Sequence, residues 1–269
     1  MPLMDEFKDE REQIKERPFK ERMDYFWEYY KWWVIAGVVV IIAIIAIIRS
    51  FVTRQNPVLY VAMVNTSQVY ISDSEGLFSK AFLEQQGIDT KKNIIQYDSD
   101  FIFTEETGAG NSENVNGLTY SMTSSNYNTR QSLSVYIAAG DVDIISADID
   151  WFNEYAYFGF FHDLRDILTP EQLEEYKDYI IYIDRAVFER YEAARDENNY
   201  EYDEPYPDGT DPEIMEDPIP VGIDMTISPA YSNQFITIGP GGKSYLGFLV
   251  NSKNTEMSLK LFEYYLHLN

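Results

Sequence analysis

The stretch IAAGDVDIISADIDWF, residues 137–152, decides the predicted fold because three elements meet in it. A helix over Asn126–Ala139 ends at Gly140, the residue type that favours the left-handed position after a helix. A short, β-branched strand over Asp141–Ala147 follows directly. Asp148 then has the short acceptor side chain that caps the next helix. This helix–strand–helix order is typical of an α/β protein.

The segments on either side continue the alternation. The N-terminal side is predicted to contain a buried strand, a helix, a second strand and a loop, at Val58–Val64, Ser74–Gln86, Asn93–Phe103 and Glu105–Gly117. The C-terminal side is predicted to contain a helix that begins at Thr169-Pro170, an apolar run at Tyr179–Ile183, three candidate strands at Pro220–Ile227, Phe235–Ile238 and Tyr245–Val250, and a final helix over Thr255–Leu268. The order predicts an α/β sheet with mainly parallel strands.

A second decisive stretch is WWVIAGVVVIIAIIAII, Trp32–Ile48, which contains no charged and no polar side chain apart from the indole N–H groups. As a helix it rises about 26 Å, near the lower limit for crossing a hydrocarbon core of about 30 Å. Extension through Phe51 and Val52 gives a transmembrane helix over 32–52. A buried core helix is the alternative, and a cleaved signal peptide is disfavoured because the apolar run is too long and too far from Met1.

Both ends of this run carry residue types that prefer the membrane interface. The predicted interfacial residues are Trp27, Tyr30, Lys31, Trp32, Trp33 and Arg49. Five Lys/Arg residues lie between positions 15 and 31, whereas two lie between the run and Lys80. Because Lys/Arg excess marks the cytoplasmic side, the N-terminus is expected inside and the domain outside a single-pass cell-membrane anchor.

The resulting domain prediction has four parts. They are a cytoplasmic charged arm at 1–31, the transmembrane helix at 32–52 that contacts the lipid bilayer, a linker at 53–57 and an extracellular α/β domain at 58–269. Within the arm, Pro18 favours the start of a helix that continues into the membrane. Within the domain, residues 195–218 contain ten Asp/Glu and four Pro, which predicts an exposed, poorly ordered loop or hairpin.

The composition excludes several classes of function. A net charge of −24 argues against nucleic acid as a partner, because a phosphate backbone needs a Lys/Arg surface. The absence of cysteine excludes disulfides, Cys-ligated zinc, iron–sulfur clusters and thiol nucleophiles. The two histidines, His162 and His267, are too few for a histidine-rich metal site. No cofactor and no metal are therefore expected.

The densest aromatic cluster is the main candidate for a binding site. It comprises Trp151, Tyr155, Tyr157, Phe158, Phe160 and Phe161. Aromatic faces bind the apolar faces of sugars and peptides, so Trp151, Tyr155, Tyr157 and Phe160 are the predicted ligand-binding residues. The alternative is that these rings pack a helix against the sheet.

Other polar patterns favour structural interpretations. Asp141, Asp143, Asp148 and Asp150 suggest Ca²⁺, but a turn and a helix cap also explain them; Asp203, Asp208 and Asp211 lack the EF-hand order. Gly239–Lys243 lacks P-loop spacing and is predicted to be a hairpin turn. His162 beside Asp163 has no convincing serine partner. No catalytic residue is predicted, and the protein is expected not to be an enzyme.

Three phrases of sequence resemble one known family. They are IAAGDVDIISADIDWFNEYAYFGFFHDL at 137–164, LTPEQLEEYKD at 168–178 and GFLVNSKNTEMSLKLFEYYL at 247–266. Together they resemble bacterial extracellular solute-binding proteins with the type 2 periplasmic-binding fold. In that family a helix ends in an AAGDxD turn, a strand leads to ADxxWF and GxFxDL follows.

The resemblance implies one lobe of a fold that normally has two, with the ligand held between them. About 70 residues separate Asp178 from Gly247, so the second lobe is expected to be reduced or absent. The family's lipoprotein cysteine is missing, and the membrane helix replaces it. The expected function is a membrane-tethered, non-enzymatic extracellular module that presents a solute-binding-like lobe to a small ligand or partner protein. The alternative is a structural or accessory subunit of a cell-envelope complex without a small-molecule ligand.

Overall fold

The computed structural model of the protein describes residues 18–68, 77–103, 114–115, 118–119, 122–199 and 202–268. The chain divides after Gln55 into two compact units. The first 17 residues of the predicted arm and most of the predicted loop Glu105–Gly117 lie outside the described residues. Of that loop, Asn114–Val115 is described and forms a short strand.

The first unit contains one long helix, α1, over Phe19–Thr53. Pro18 stands at its N-cap, so the predicted helix through the arm and the apolar run is confirmed as continuous. Its segment Tyr30–Phe51 has a mean hydropathy of 2.8, and none of its most apolar window is buried. Among the described residues, this helix is the one long and apolar enough to span a membrane. All six predicted interfacial residues lie on it.

The second unit alternates strands and helices. Its strands are β1 Asn56–Val64, β2 Thr66–Gln68, β3 Asn93–Phe101, β4 Asn114–Val115, β5 Leu118–Thr119, β6 Ile144–Ala147, β7 Ile180–Asp184, β8 Pro218–Asp224, β9 Phe235–Thr237 and β10 Tyr245–Phe248. Its helices are α2 Leu77–Gln85, α3 Met122–Ala139, α4 Ile149–Tyr157, α5 Leu164–Ile167, α6 Pro170–Tyr176, α7 Arg185–Asp196, α8 Pro229–Gln234 and α9 Thr255–His267.

The main sheet of the described chain has six strands in the order β3-β1-β6-β10-β8-β7. Strands β3, β1 and β6 are parallel, whereas β10 runs antiparallel to both of its neighbours and β7 runs antiparallel to β8. The α/β class is therefore confirmed, but the sheet is mixed. Four of its strands share one direction, and the parallel pairing is confined to β3-β1-β6. A buried strand has the same apolar pattern in either direction, so periodicity alone does not reveal this.

The predicted end of helix α3 at Gly140 is confirmed. Gly140 has a φ of +68°, which L-residues with a side chain rarely adopt. The N–H groups of Gly140 and Asp141 donate to the carbonyls of Ile137 and Tyr136, both at 3.0 Å. This pair of bonds is the Schellman arrangement, and it turns the chain directly into β6.

The buried Asp143 joins the N-terminal and C-terminal parts of the domain. Its carboxylate accepts from the Tyr60 backbone N–H at 2.9 Å, from Ser252 Oγ at 2.6 Å and from Asn254 Nδ2 at 3.2 Å. Its backbone carbonyl accepts from the Leu249 N–H at 3.1 Å. The phrases at 137–164 and 247–266 therefore meet in space at this carboxylate.

Helix α4 and the segment that follows it pack on the sheet through two phenylalanine rings, Phe152 in the helix and Phe161 after it, that lie against glycines. A Cβ on Gly222 of β8 would lie 2.1 Å from Cζ of Phe152, and a Cβ on Gly247 of β10 would lie 2.6 Å from Cδ1 of Phe161. The two rings stack with their centroids 4.8 Å apart. Because these glycines have no Cβ, both rings approach the strand backbone closely, and any side chain there would displace them.

The described part of the acidic segment, 195–199 and 202–218, differs from the poorly ordered loop predicted for it. Residues 195–196 form the end of α7. Beyond it, Arg190 donates from Nε and Nη2 to the Glu204 carboxylate at 2.8 and 2.6 Å. Gly209 is buried against Ile181, and its carbonyl accepts from the Tyr182 N–H at 2.8 Å. Specific contacts therefore hold the segment against β7 and α7.

Asp184 fixes the other end of this segment. Its buried carboxylate caps α7 through the Ala186 N–H at 3.0 Å and accepts from the backbone N–H groups of Glu216 and Asp217 at 2.9 and 3.4 Å. Burial alone would raise the pKa of Asp184, but these N–H donors outweigh it and hold the pKa below its ordinary value.

Substitution of Gly222 tests the packing of α4 on the sheet. Gly222→Ala is expected to lower the free energy of unfolding by about 1–3 kcal/mol, because the Phe152 ring must move. Adding Phe152→Leu makes room for the new methyl group. The double variant should therefore lose less free energy of unfolding than the sum of the losses in the two single variants. Urea unfolding of the detergent-solubilised chain measures both quantities. If the two losses in free energy of unfolding were additive, the contact between Gly222 and the Phe152 ring would be contradicted.

Asp184→Asn tests the anchor of the acidic segment. The depressed pKa means that the carboxylate contributes fully above the unfolded value of about 3.9 and that this contribution is lost as pH falls through the folded pKa. At pH 7 the variant should be less stable by about 1–3 kcal/mol, and the difference should shrink below pH 4. The exposed Asp178→Asn is the control. A difference that stays constant with pH would refute the assignment.

Candidate functional site

The ring of Trp151, the first predicted ligand-binding residue, is covered by the chain itself. It stacks on Phe103 with the ring centroids 3.7 Å apart. The guanidinium carbon of Arg130 lies 4.6 Å from the Trp151 ring centroid. Because a stacked phenyl ring occupies one face, the guanidinium lies against the other. Trp151 thus presents no open face for a ligand.

The other three predicted residues belong largely to the core between α4 and the sheet. Tyr155 and Tyr157 are 4% and 2% exposed. Phe160 is half-buried, with its ring centroid 6.1 Å from that of Tyr155 and 5.8 Å from that of Phe158. The buried Tyr155 contacts the rings of both Trp151 and Phe160, so these rings pack on one another rather than form an open surface. Tyr157 alone among the four predicted residues contributes to the wall of the cavity described next.

A cavity of about 500 Å³ lies between the C-terminal end of α4, helix α7 and the acidic segment. Its lining consists of Glu154, Tyr157, Phe158, Tyr191, Ala194, Arg195, Asn199, Tyr202, Asp203 and Tyr206. We call this cavity the tyrosine pocket. Its volume falls within the range of about 300–1,000 Å³ typical of small-ligand sites. Sequence reasoning missed its α7 and acidic-segment residues, although tyrosines within so acidic a stretch were a signal.

The four tyrosines of the pocket pack on one another. The rings of Tyr157 and Tyr206 stack with centroids 4.4 Å apart. Tyr191 contacts Tyr202 in a T-shaped pair at 5.0 Å. Burial raises the pKa of Tyr157 to about 12 and that of Tyr206 further. These two hydroxyls are neutral at physiological pH, so the part of the wall that Tyr157 and Tyr206 form is aromatic and uncharged.

Glu204 holds the acidic side of the tyrosine pocket in place. Besides the two bonds from Arg190, its carboxylate accepts from the Tyr202 hydroxyl at 2.6 Å. The Tyr191 hydroxyl donates to the Glu204 carbonyl at 2.5 Å. The hydrogen bonds from Arg190 and Tyr202 lower the pKa of Glu204 to about 2. The carboxylate therefore stays ionised, and the wall keeps its arrangement over the physiological pH range.

Charged groups of both signs line the tyrosine pocket. Arg195 donates from Nη1 to the Tyr157 carbonyl at 3.1 Å, and its guanidinium carbon lies 5.1 Å from the Phe158 ring centroid. Glu154 pairs with Arg130 at 3.2 Å. Burial raises the pKa of Glu154, although the nearby Arg130 charge opposes this. Asp203 is exposed at the opening.

The topological switch point of the sheet lies between β1 and β6, because the chain leaves β1 toward β3 on one side and later enters β6 on the other. Open α/β sheets bind ligands in the crevice at the carboxyl ends of such strands. Here Asn65 Nδ2 donates to Asp148 Oδ2 at 2.6 Å, and Asn65 Oδ1 accepts from the Phe103 N–H at 2.7 Å. The side chains of Asn65 and Asp148 thus bridge the crevice.

Residues after β9 cover this bridge. A Cβ on Gly239 would lie 2.5 Å from Cβ of Asp148, and the Ile238 N–H donates to the Asn65 carbonyl at 2.6 Å. Asp148 also caps α4, as predicted, by accepting from the Asp150 and Trp151 N–H groups. Burial raises the pKa of Asp148, opposed by these donors and by Asn65. Both carboxylate oxygens are engaged within the chain.

The calcium candidates do not gather into a cation site within the described part of the chain, where no group of three or more Asp, Glu or His side chains is arranged to hold a metal. Asp143 and Asp148 are bonded to N–H and hydroxyl donors instead. Asp208 caps a turn through the Thr210 N–H at 2.9 Å. Asp211 caps the following 3₁₀ turn through Glu213.

The turn at Gly239–Lys243 is not the hairpin predicted from its glycines. Residues 240–242 form a 3₁₀ turn, but β9 pairs with β2, whereas β10 pairs with β6 and β8. The prediction is wrong because turn-forming residues do not determine the partners of the strands they connect. Lys243 Nζ donates to Asp224 at 2.8 Å and so closes the turn onto the end of β8.

Tyr155 and Tyr231 provide a matched test of buried hydroxyls. The Tyr155 hydroxyl has no hydrogen-bond partner among the described residues, whereas that of Tyr231 bonds to Ser146 Oγ at 2.6 Å. Tyr155→Phe should therefore raise the free energy of unfolding by about 1 kcal/mol and Tyr231→Phe should lower it by about 1 kcal/mol. Chemical unfolding of both variants measures this. Equal losses would show that the Tyr155 hydroxyl is bonded in the folded protein.

Comparison of the chain with protein-family models, with curated proteins and with solved structures gives no match. The α/β class and the mixed sheet follow from the chain's own strand pairing. The likeness to extracellular solute-binding proteins rests on the phrases at 137–164, 168–178 and 247–266, so any function that it implies is a proposal.

Proposed function

We propose that the protein is a membrane-tethered, non-enzymatic binding module that presents its α/β domain outside the cell. The observation that carries the proposal is the uncovered apolar helix α1 on a chain whose domain has an aromatic pocket. A row of exposed apolar side chains over Tyr30–Phe51 is costly in water and is stable in lipid. The tyrosine pocket gives the tethered domain a place to bind a small ligand.

The side of the membrane follows from the flanking charges. Lys/Arg residues are concentrated before the apolar segment, which favours a cytoplasmic N-terminus and an extracellular domain. Acidic residues on the N-terminal side weigh little in this rule, because it depends on Lys/Arg rather than on net charge.

The proposal differs from a solute-binding protein in where the ligand would bind. The likeness to that family favours one lobe, and two of the three phrases that carry it, 137–164 and 247–266, meet at Asp143. Among the described residues, the Asn65–Asp148 hydrogen bond bridges the switch-point crevice and Gly239 lies against Asp148, which disfavours this crevice as the ligand site. The tyrosine pocket lies at the opposite end of α4 from Asp148, and in this proposal it holds the ligand instead of that crevice.

The bridged switch point also favours a second candidate function. A lobe that fills its ligand crevice with its own side chains is suited to serve as an accessory subunit of a cell-envelope complex. In that case the domain would bind a protein rather than a small molecule. A stable partner cross-linked in intact membranes, together with no response to small ligands, would favour this candidate.

Single-cysteine variants test the tether and its orientation. The natural chain has no cysteine, so each variant carries one site for labelling. Asp178→Cys lies at an exposed position of the domain, and Met23→Cys lies at an exposed position of α1 before the apolar segment. An impermeant maleimide should label Asp178→Cys on intact cells and Met23→Cys only after lysis.

The cysteine-free parent controls for background labelling. Labelling of Met23→Cys but not Asp178→Cys on intact cells would reverse the orientation. Equal protection of both until lysis would overturn the extracellular module.

A further inference from the structure

The tyrosine pocket combines an aromatic wall with planar polar groups. Tyr202 has no stacked ring partner among the described residues, and Phe158 is 45% exposed. Around these rings lie the guanidinium of Arg195, the amide of Asn199 and the carboxylates of Glu154 and Asp203. Each of these groups offers a pair of donors or acceptors in one plane.

The charges of the pocket favour a neutral ligand. Asp203, within a protein of net charge −24, repels an anion, whereas Arg130 compensates the charge of Glu154. The guanidinium of Arg195 repels a cation. A ligand that carries many hydroxyl groups can donate to the carboxylates and accept from the guanidinium without a charge of its own.

The shape of the wall is set before any ligand arrives. Glu204 binds Arg190, Tyr191 and Tyr202 at once, and Arg195 is held by the Tyr157 carbonyl. Only one guanidinium nitrogen is used in that bond, and a guanidinium has five N–H donors. A wall that is already ordered loses little entropy on binding, which favours affinity for a small ligand.

We propose that the tyrosine pocket binds a neutral saccharide unit, with the ring of Tyr202 against the C–H face of the sugar. Arg195, Asn199 and Glu154 then bond to its hydroxyl groups. A sugar has the two features that this lining matches, an apolar C–H face and a rim of paired hydroxyls. The inference rests on the proposed function, since it names the ligand class of the tethered module.

Binding is tested on the full chain in lipid nanodiscs by saturation-transfer-difference NMR. The saccharide probes are maltose, cellobiose and N,N′-diacetylchitobiose, and choline and L-leucine represent cationic and zwitterionic ligands. At least one disaccharide should bind with a Kd of about 1 mM or tighter. Tyr202→Ala and Asn199→Ala should each weaken this binding at least about fivefold.

Two controls make the result specific. Tyr179→Ala removes an exposed tyrosine outside the pocket and should leave the Kd unchanged. Asn199 is exposed at the end of α7 and lies outside the Glu204 network, so its substitution tests the pocket even if Tyr202→Ala unfolds.

Three results would overturn the saccharide inference. They are no disaccharide signal at about 10 mM, disaccharide binding that survives both pocket variants, and binding of choline or leucine in place of the sugars. The last result would leave the tethered binding module standing with another ligand. Failure of the module itself is read separately, from the cysteine labelling.

Discussion

The contact on which the rest of the domain depends is the close approach of the Phe152 ring to Gly222. It sets the distance between α4 and the sheet, and α4 connects the two places where a ligand could be held. At its first turn, Asp148 bridges the switch point to Asn65. At its last turn, Tyr157 and Phe158 form one wall of the tyrosine pocket. A shift of α4 would therefore open the switch-point crevice and deform the tyrosine pocket at the same time.

Local signals in the sequence were reliable where one residue type satisfies a backbone requirement. Gly140 ends α3 because it adopts a positive φ, and Asp148 caps α4 because its oxygens reach two N–H groups. Thr169 caps the start of α6 as predicted, and Gln172 completes a capping box with it. These features, the α/β class and the continuous N-terminal helix were all predictable from the chain alone.

What the sequence did not reveal depends on contacts between distant residues. The antiparallel half of the sheet has the same apolar pattern as a parallel one. The acidic segment was predicted to be an exposed loop because it is rich in carboxylates. In the structure, hydrogen bonds that involve Arg190 and Gly209 hold it on the domain. The tyrosine pocket joins α4 to residues about 40 positions later in the chain, so only Tyr157 was among the residues predicted for a ligand.

The proposed tether and the proposed binding module both require α1 to lie in lipid. Residues 32–48 of its segment Tyr30–Phe51 carry no charged side chain, and none of the most apolar window is buried. Extraction of cell membranes with alkaline carbonate separates integral proteins from those bound at the surface. The full-length chain is expected to remain in the membrane pellet and to be released only by detergent. Recovery of the chain in the carbonate supernatant would contradict the tether and the binding module built on it.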